Sequence, residues 1–103
     1  MEISLDEQLN IIKKQLKNDG YDNSSINSFL KSIKANYNKS KIFLYKKYQF
    51  SGVNLIGTVI GIDCFNELML DNSFDINDTI LICKMDNSKD ISFKWASDIV
   101  KEI

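Results

Sequence analysis

Residues 52–103 of this 103-residue chain read GVNLIGTVIGIDCFNELMLDNSFDINDTILICKMDNSKDISFKWASDIVKEI. Short runs of β-branched residues alternate with turn residues, and Gly57 and Gly61 interrupt the longest run. Glycine weakens the interior of a strand and marks places where a strand bends sharply, as strands do when a sheet curls on itself. The stretch therefore predicts a small, strongly bent β-barrel, a class that usually binds other molecules without transforming them.

The strands follow from a change in hydrophobic period at residue 41. From there apolar residues recur with a period of two, which indicates half-buried strands, whereas the preceding residues recur with the helical period. Turn-forming residues separate the runs. We expect five strands, at 41–48, 53–62, 79–85, 90–93 and 99–103, with a single helical turn at 95–97 before the last strand.

Two helices are predicted ahead of the strands. Ser4 and Glu7 have the spacing of a capping box at the start of the first helix. Gly20 can adopt the left-handed conformation that ends it. The second helix starts near Asp22 or Asn23 and ends at 38–40. The two apolar stripes consist of Leu5, Leu9, Ile12 and Leu16, and of Ile26, Phe29, Leu30, Ile33 and Tyr37.

These elements predict an α+β fold class. The two N-terminal helices form a helical hairpin over residues 1–40, and residues 41–103 form a small five-stranded SH3-like or Sm-like β-barrel. At 103 residues the chain is long enough for one modest core. We therefore expect a single domain over 1–103.

Composition excludes several classes of protein. The chain has no His and no Pro, all 13 basic residues are Lys, and the net charge is −1. No apolar run approaches the roughly 20 residues that a membrane-spanning helix needs, and the opening MEISLDEQLN is unlike a secretory signal peptide. The two cysteines, without a CxxC motif, indicate neither a disulfide framework nor a zinc ribbon. We expect a cytoplasmic protein without membrane contact.

Charge is divided unevenly along the chain. Residues 1–47 contain nine Lys and five acidic residues, whereas 48–103 contain four Lys and nine acidic residues. The basic part includes a Lys/aromatic strip, in which ammonium groups could bind phosphates and rings could stack on bases. The alternative is a solvated surface whose rings face the core, which the helical spacing of Tyr37 favours. The strip contains Lys31, Lys34, Lys39, Lys41, Tyr45, Lys46 and Lys47, interleaved with Tyr37, Phe43 and Tyr48.

The acidic part contains a polar loop with Asp71, Asp75 and Asp78. An EF-hand calcium loop would need closely alternating oxygen ligands and a glycine at its sharp turn, and this loop has neither. We therefore interpret it as a surface loop that can meet a basic partner. Trp95, the only Trp, is considered together with Phe93 and Phe65, and it is either a core residue or the centre of a binding surface, because Trp buries a large area with few rotamers to freeze.

The sequence contains no complete catalytic arrangement. Asp63 and Glu67 form a possible carboxylate pair, but no His is present to act as a base at neutral pH. Cys83 lies in an apolar run and Cys64 in a turn, and neither has a His to lower its pKa. No metal or cofactor motif is present. We therefore predict a protein that is not an enzyme and binds no cofactor or metal.

Two family resemblances centre on residues 57–63, GTVIGID. This segment with Asn66 resembles the first signature of Sm-like proteins, in which the Asp and Asn of the turn line an RNA-base pocket. That resemblance implies RNA contacts by Asp63 and Asn66. The segment, together with 91–93 and 97–103, is also similar to the C-terminal half of YolD-like proteins of low-GC Gram-positive bacteria and their phages. This second resemblance implies a regulatory or accessory role.

Two functions from different classes remain open. The leading hypothesis is a phage-encoded or mobile-element-encoded regulatory or inhibitory protein that occupies the surface of a partner protein, such as a nucleic-acid enzyme. Its contact surface would be the acidic barrel face, with Asp71, Asp75, Asp78 and Trp95. The alternative is an RNA- or single-stranded-DNA-binding module that uses the Lys/aromatic strip, with homo-oligomerisation in the Sm-like manner.

Overall fold

Two α-helices open the fold. The computed structural model describes residues 4–53 and 55–103, with helix α1 at Leu5–Asn18 and helix α2 at Asn23–Ser40. Each helix buries the apolar stripe that its sequence predicts, for example through Ile12 in α1 and Ile33 in α2. Both predicted helices are therefore confirmed.

The helix ends agree with the sequence at three of the four expected signals. Gly20 follows α1 with a φ of +92°, the left-handed conformation predicted for it. The Asp22 side chain caps α2 by accepting a hydrogen bond of 2.7 Å from the Ser25 amide, and α2 ends at Ser40. The predicted capping box is wrong, because the Ser4 side chain makes no capping hydrogen bond.

Five antiparallel strands form one sheet. They are β1 at Lys47–Phe50, β2 at Ile56–Ile62, β3 at Ile80–Met85, β4 at Ile91–Trp95 and β5 at Ile99–Glu102. Their order across the sheet is β4-β3-β2-β1-β5. A 3₁₀ turn at Ala96–Asp98 joins the last two strands, one residue later than the predicted turn at 95–97, because Trp95 is the last residue of β4. The structure is thus α+β, with two helices followed by a five-stranded sheet.

The sheet is not closed into a barrel, which corrects the sequence-based expectation. β4 and β5 are its two edges, and within the described residues no pairing joins them. The turn between them is held at both ends. The Ala96 amide donates to the Thr79 carbonyl beside β3, and the Ser51 amide donates to the Asp98 carbonyl beside β1. The turn therefore carries the chain from one side of the sheet to the other, so the last two strands pair with different neighbours.

The first two strands start several residues later than predicted. Residues Lys41–Phe43 continue from α2 as a 3₁₀ turn, and Tyr45 has a φ of 64°, so the strand expected from 41 begins only at Lys47. The strand expected from residue 53 begins at Ile56, and Asn54 lies outside the described residues. The segment 41–46 contains the right residues for a strand, but it turns the chain from α2 into β1.

Strand β2 bends where its glycines predict. The pairing of β2 with β3 shifts register between Val59 and Gly61, which is a β-bulge. At Gly57 a Cβ atom would lie 2.6 Å from Met85 Sδ, so this position has no room for a larger residue. The glycines therefore permit the bulge and a close approach between neighbouring strands.

The core lies between the sheet and the helical layer, and polar side chains within it tie the two together. Gln8, Asn36, Ser40 and Thr79 are all buried, and all make hydrogen bonds, because an unpaired buried polar group is costly. The largest fully buried apolar side chains are Phe50, Ile33, Ile62, Met69, Leu81 and Val59. Within the part of the chain that the structure describes, no helix has both the length and the apolar character needed to cross a membrane.

Candidate protein-binding surface

Strand β4 brings three large apolar side chains to solvent. Ile91, Phe93 and Trp95 are 45%, 62% and 42% exposed, whereas Ser92 and Lys94 between them are half-buried. Because successive side chains of a strand point to opposite faces, the three exposed residues share one face. Natural edge strands are usually blunted by charged residues. An apolar row on an edge strand therefore points to an interaction surface.

Apolar residues of strand β3 lie beside the row. Phe93 lies opposite Ile82, and Trp95 lies opposite Ile80. Directly opposite residues in an antiparallel pair share a face and lie close enough for their side chains to touch. Ile82 is buried at 4% exposure and Ile80 is half-buried, so β3 supports the row beside Phe93 and Trp95 without widening the exposed surface, and the neighbour of Ile91 on β3 is the charged Lys84.

A cavity of about 390 Å³ borders this row. It is lined by Gln8, Asp63, Phe65, Ile82 and Phe93. Phe65 is 50% exposed, and its amide donates a hydrogen bond of 3.0 Å to Asp63 Oδ1, which holds the turn around it. The two rings at its wall suit an apolar side chain of a bound molecule. We refer to Phe65, Ile82, Ile91, Phe93 and Trp95 as the aromatic edge.

Acidic residues lie at the Trp95 end of the aromatic edge. Asp75 begins and Asp78 ends the loop segment that leads through Thr79 into β3, and this segment packs against the turn containing Asp98. Asp75 Oδ1 accepts a hydrogen bond of 2.8 Å from the Asn77 amide. The segment that Asp75 caps and Asp78 ends thus contacts the turn that follows Trp95.

Asp71 has a different environment from the other two loop carboxylates. Its backbone oxygen accepts a hydrogen bond of 3.0 Å from Asn36 on α2. Its carboxylate accepts hydrogen bonds from the Ser73 amide and hydroxyl, each 2.9 Å long. These bonds, that from the amide first, hold the pKa of Asp71 below its ordinary value. Asp71 is thus anchored to the helical layer, and its carboxylate stabilises its own loop.

The Lys/aromatic strip is divided among separate environments. Lys46 Nζ lies 3.6 Å from a Glu102 oxygen, and Lys47 Nζ lies 2.8 Å from an Asp86 oxygen. Lys41 Nζ lies 5.9 Å from the centre of the Tyr37 ring, a cation–π contact. Tyr45, at 61%, is the most exposed aromatic ring of the strip. Half of the strip's cations therefore already have partners within the chain.

Lys31 and Lys34 lie in a groove between the helices, away from the strand part of the strip. The groove has a volume of about 590 Å³ and is also lined by Lys13 and Asp6. Neither of the two ion pairs in the described part of the chain involves these lysines. Lys39 is an exposed residue near the end of α2.

Asp63 and Asn66 both take part in local turns. Asp63 accepts from the Phe65 amide, and Asn66 Oδ1 accepts a hydrogen bond of 3.0 Å from the Leu68 amide. Asn66 Nδ2 is buried without a partner among the described residues. The segment Glu67–Leu70 that follows is a 3₁₀ helix. The two side chains implied in base contacts therefore serve first to shape the turn from β2.

Burial disfavours ionisation of both thiols. Cys64 and Cys83 are buried and free, and desolvation raises the pKa of each thiol to about 12. A nucleophilic cysteine needs a lowered pKa instead. Among residues 4–53 and 55–103, no group of three or more His, Cys, Asp or Glu side chains could hold a metal ion.

Sequence reasoning grouped Phe65 and Phe93 with Trp95 but missed two surface residues, Ile91 and Lys13. Ile91 belongs to the aromatic edge, and Lys13 belongs to the interhelical groove. The alternation in ISFKW (91–95) was a usable signal for Ile91, because it lies in phase with Trp95. Which strand forms the edge of the sheet is not readable from alternation.

No family model, no curated protein and no solved structure matches this chain. The resemblances of residues 57–63 to Sm-like and YolD-like proteins therefore stay predictions. The physical character of the aromatic edge and of the interhelical groove is what distinguishes the possible functions.

Proposed function

We propose that this protein binds a partner protein through the aromatic edge and acts as a regulatory or inhibitory protein without catalysis of its own. The observation that carries the proposal is the exposure of Phe93 and Trp95, 62% and 42%, side by side on an edge strand. Aromatic residues dominate binding energy at protein interfaces, because they bury a large rigid area. The cavity beside Phe93 offers a place for one apolar side chain of the partner.

The charges around the aromatic edge favour a basic partner. Asp63 lines the cavity, while Asp75, Asp78 and Asp98 lie at the Trp95 end. Complementary charges at the rim of an interface raise the rate of association and exclude partners of the wrong sign. A basic surface is typical of enzymes that bind nucleic acids, because it neutralises phosphates. Blocking such a surface in the cytoplasm is the role that fits a small protein of a phage or another mobile element.

The chain path supports the finer proposal of an opened SH3-like barrel. The strand order β4-β3-β2-β1-β5 and the 3₁₀ turn before β5 are the features on which this comparison rests. Small barrels of this kind bind ligands on loops and exposed strand faces. The aromatic edge lies on such a face.

The test is capture of the partner followed by quantitative binding. The tagged full-length protein is used to isolate its partner from cells that encode it, and the partner is identified by mass spectrometry and purified. Calorimetry then compares wild type with Phe93→Ala and Trp95→Ala. We expect each variant to lose about 30-fold or more in affinity, as hot-spot truncations do.

The matched control is Val100→Ala on strand β5. The exposed fraction of Val100, 60%, is similar to that of Phe93, but Val100 lies on the opposite edge of the sheet. Its affinity should equal that of the wild type. A purified partner that binds Phe93→Ala and wild type equally would remove the aromatic edge from the interface. Reversal of Asp75 and Asp78 to Lys should slow association, and an unchanged rate would remove the charge argument.

A second candidate function is binding of single-stranded nucleic acid in the interhelical groove. Its supporting observation is the grouping of Lys13, Lys31 and Lys34 in one groove without ion-pair partners among the described residues. If each of the three lysines neutralises one phosphate, raising the salt concentration from about 50 to 200 mM should lower the affinity for the oligonucleotide about 20-fold. Fluorescence anisotropy with a labelled oligonucleotide measures this directly.

Reversing the charge of the groove lysines distinguishes the two candidate functions. Lys31→Glu with Lys34→Glu should abolish oligonucleotide binding, whereas the control pair Lys89→Glu with Lys101→Glu, in the sheet region, should not. Absence of oligonucleotide binding at low salt removes this second candidate. It leaves the protein-binding proposal unaffected, since the aromatic edge contains none of these lysines.

A further inference from the structure

The backbone of strand β4 has a free side, and the hydrogen-bond pattern shows which residues present it. The Ala96 amide donates to Thr79 O at 2.9 Å, and the Asp63 amide donates to Ile80 O at 2.9 Å. Ile80 thus directs its carbonyl to β2, away from β4. In an antiparallel ladder, residues directed to the partner alternate with residues directed away from it. Trp95, which faces Ile80, therefore directs its N–H and C=O outward from the sheet.

The same alternation extends along the strand. The backbone groups of Lys94 and Ser92 form hydrogen bonds with β3. Those of Phe93 and Ile91, like those of Trp95, point away from β3. The three residues with exposed side chains are thus the three whose backbone groups point away from β3, although the Trp95 carbonyl, at the N-cap of the 3₁₀ turn, already accepts the first bond of that turn. An edge of this kind is a template for another strand.

We infer that the occupant of this edge is β4 of a second copy of the chain, paired antiparallel about Phe93. In this register Phe93 lies opposite Phe93 of the second copy, and Ile91 lies opposite Trp95 of the second copy. Each outward-directed residue then exchanges its N–H and C=O with another outward-directed residue. Ser92 lies opposite Lys94, so no like charges meet along the strand.

Charge complementarity favours this antiparallel arrangement. The Ile91 end of β4 lies beside Lys84, its neighbour on β3, and follows Lys89 and Asp90. The Trp95 end lies beside the carboxylates of Asp78 and Asp98. The Ile91 end also holds Asp86 and Asp90, so with Lys47, Lys84 and Lys89 its net charge is +1, and antiparallel pairing places it against the acidic end of the other copy. A parallel pairing would instead place like ends together.

The other edge of the sheet is less suited to self-association. Strand β5 carries Lys101 and Glu102 among its four residues, and Glu102 is engaged with Lys46. Charged residues of this kind protect edges from pairing. Each copy therefore has one edge suited to pairing, so assembly through β4 stops at a symmetric dimer. In this dimer the two sheets form one continuous sheet.

The dimer goes beyond the proposed function and does not depend on it. Directly opposite side chains in an antiparallel pair lie on the same face, so the Phe93 and Trp95 side chains of both copies form one continuous apolar surface. Dimerisation concerns the edge backbone of β4, whereas partner binding concerns the exposed side-chain face. The mass of the free protein reports only on the first.

Sedimentation velocity of the full chain tests the inference. A strand-to-strand contact is small compared with a stable interface of about 800 Å² per partner, so we expect a reversible dimer in the micromolar range. The mass should rise from 11.9 kDa toward twice that value as concentration increases from about 1 μM to 1 mM. A mass that stays at 11.9 kDa over this range would overturn the inference. Phe93→Lys should raise the dimer dissociation constant at least about tenfold, and Val100→Lys on the opposite edge should not.

Cysteine cross-linking tests the register. Residues opposite one another in a hydrogen-bonded antiparallel pair have Cα atoms about 5.5 Å apart, within the range of a disulfide. Phe93→Cys should therefore form an intermolecular disulfide under mild oxidation, whereas Val100→Cys should not. The native thiols do not compete, because both are buried. Cross-linking of both variants at the same rate would show random collision and would exclude a dimer centred on Phe93.

Discussion

The side chain of Gln8 joins helix α1 to strand β2 across 54 residues of sequence: its Nε2 lies 2.9 Å from the backbone oxygen of Ile62. Its Oε1 accepts a hydrogen bond of 2.9 Å from the Cys64 amide. One buried amide group thus satisfies two backbone groups at the point where β2 ends. Gln8 also lines the cavity beside Phe93.

Replacing Gln8 should destabilise the fold. Gln8→Ala leaves the Ile62 oxygen and the Cys64 amide buried without partners, at about 1–3 kcal/mol for each group. We expect the free energy of unfolding, measured by urea denaturation, to fall by about 2–4 kcal/mol. Gln15→Ala is the matched control, because Gln15 is an exposed residue of the same helix. Equal stability of the two variants would contradict the role assigned to Gln8.

Asn36 should be the second polar anchor of the helical layer. Its Nδ2 donates to the backbone oxygens of Met69 and Asp71, at 2.8 and 3.0 Å. Asn36→Ala should lower the free energy of unfolding by about 2–4 kcal/mol and should speed amide hydrogen exchange in residues 67–74. Asn38→Ala, an exposed position on the same helix, should change neither. Exchange that stays slow in Asn36→Ala would show that the loop is held by other contacts.

Stability should decrease in alkaline solution because of the buried thiols. Burial raises the pKa of Cys64 and Cys83 from 9.0 to about 12. Below about pH 9 the thiols are protonated in both states, and above it they ionise only in the unfolded chain, which favours unfolding until about pH 12. Each thiol should lower the free energy of unfolding by about 1 kcal/mol at pH 10.

The contribution of one thiol can be isolated by substitution. Between about pH 8 and 10, the decrease in the free energy of unfolding should be smaller by about 1 kcal/mol in Cys64→Ala than in wild type. Urea denaturation at each pH provides the comparison. The same decrease in both proteins would mean that other groups cause the alkaline loss, such as Tyr37 and Tyr48, whose pKa values burial also raises.

Gly57 should not tolerate a side chain. In Gly57→Ala the new Cβ would lie 2.6 Å from Met85 Sδ and 3.2 Å from the Lys84 carbonyl. Overpacking of this kind costs about 1–3 kcal/mol. Shortening the neighbour should relieve part of the strain, so Gly57→Ala should cost less in a Met85→Ala background. An equal cost in both backgrounds would place the strain in the backbone contact with Lys84.

Much of the fold was accessible from local sequence signals. The helices follow from apolar residues at helical spacing, and the caps at Gly20 and Asp22 depend on single residues. The later strands and the turn at Ala96–Asp98 also lie close to their predicted positions. In these segments the local preference and the tertiary environment favour the same conformation.

Residues 41–48 show where local reasoning fails. Their apolar content predicted a strand, but Ile42 and Tyr45 are exposed at 57% and 61%, and Phe43 is buried in the core. The chain must reverse between α2 and β1, so it uses a 3₁₀ turn and a positive φ at Tyr45 in place of extended backbone. The position of the elements before and after the segment decides its conformation.

The candidate site was only partly foreseeable. Trp95 was singled out because it is the sole Trp, and the acidic loop because of its composition. The exposure of Phe93 depends on which face of β4 the core covers, and the free edge depends on how the strands pair. The division of the lysines into paired cations and groove cations likewise depends on contacts with Glu102 and Asp86, far along the chain.

The sequence alone determined the order and type of most elements, because hydrophobic period, caps and turn residues act over a few neighbouring residues. Tertiary structure alone decided that the sheet stays open, that β4 is an edge, and that Gln8 and Asn36 anchor the helices. These features arise from contacts between residues distant in the chain, and a local pattern does not specify which distant groups will meet.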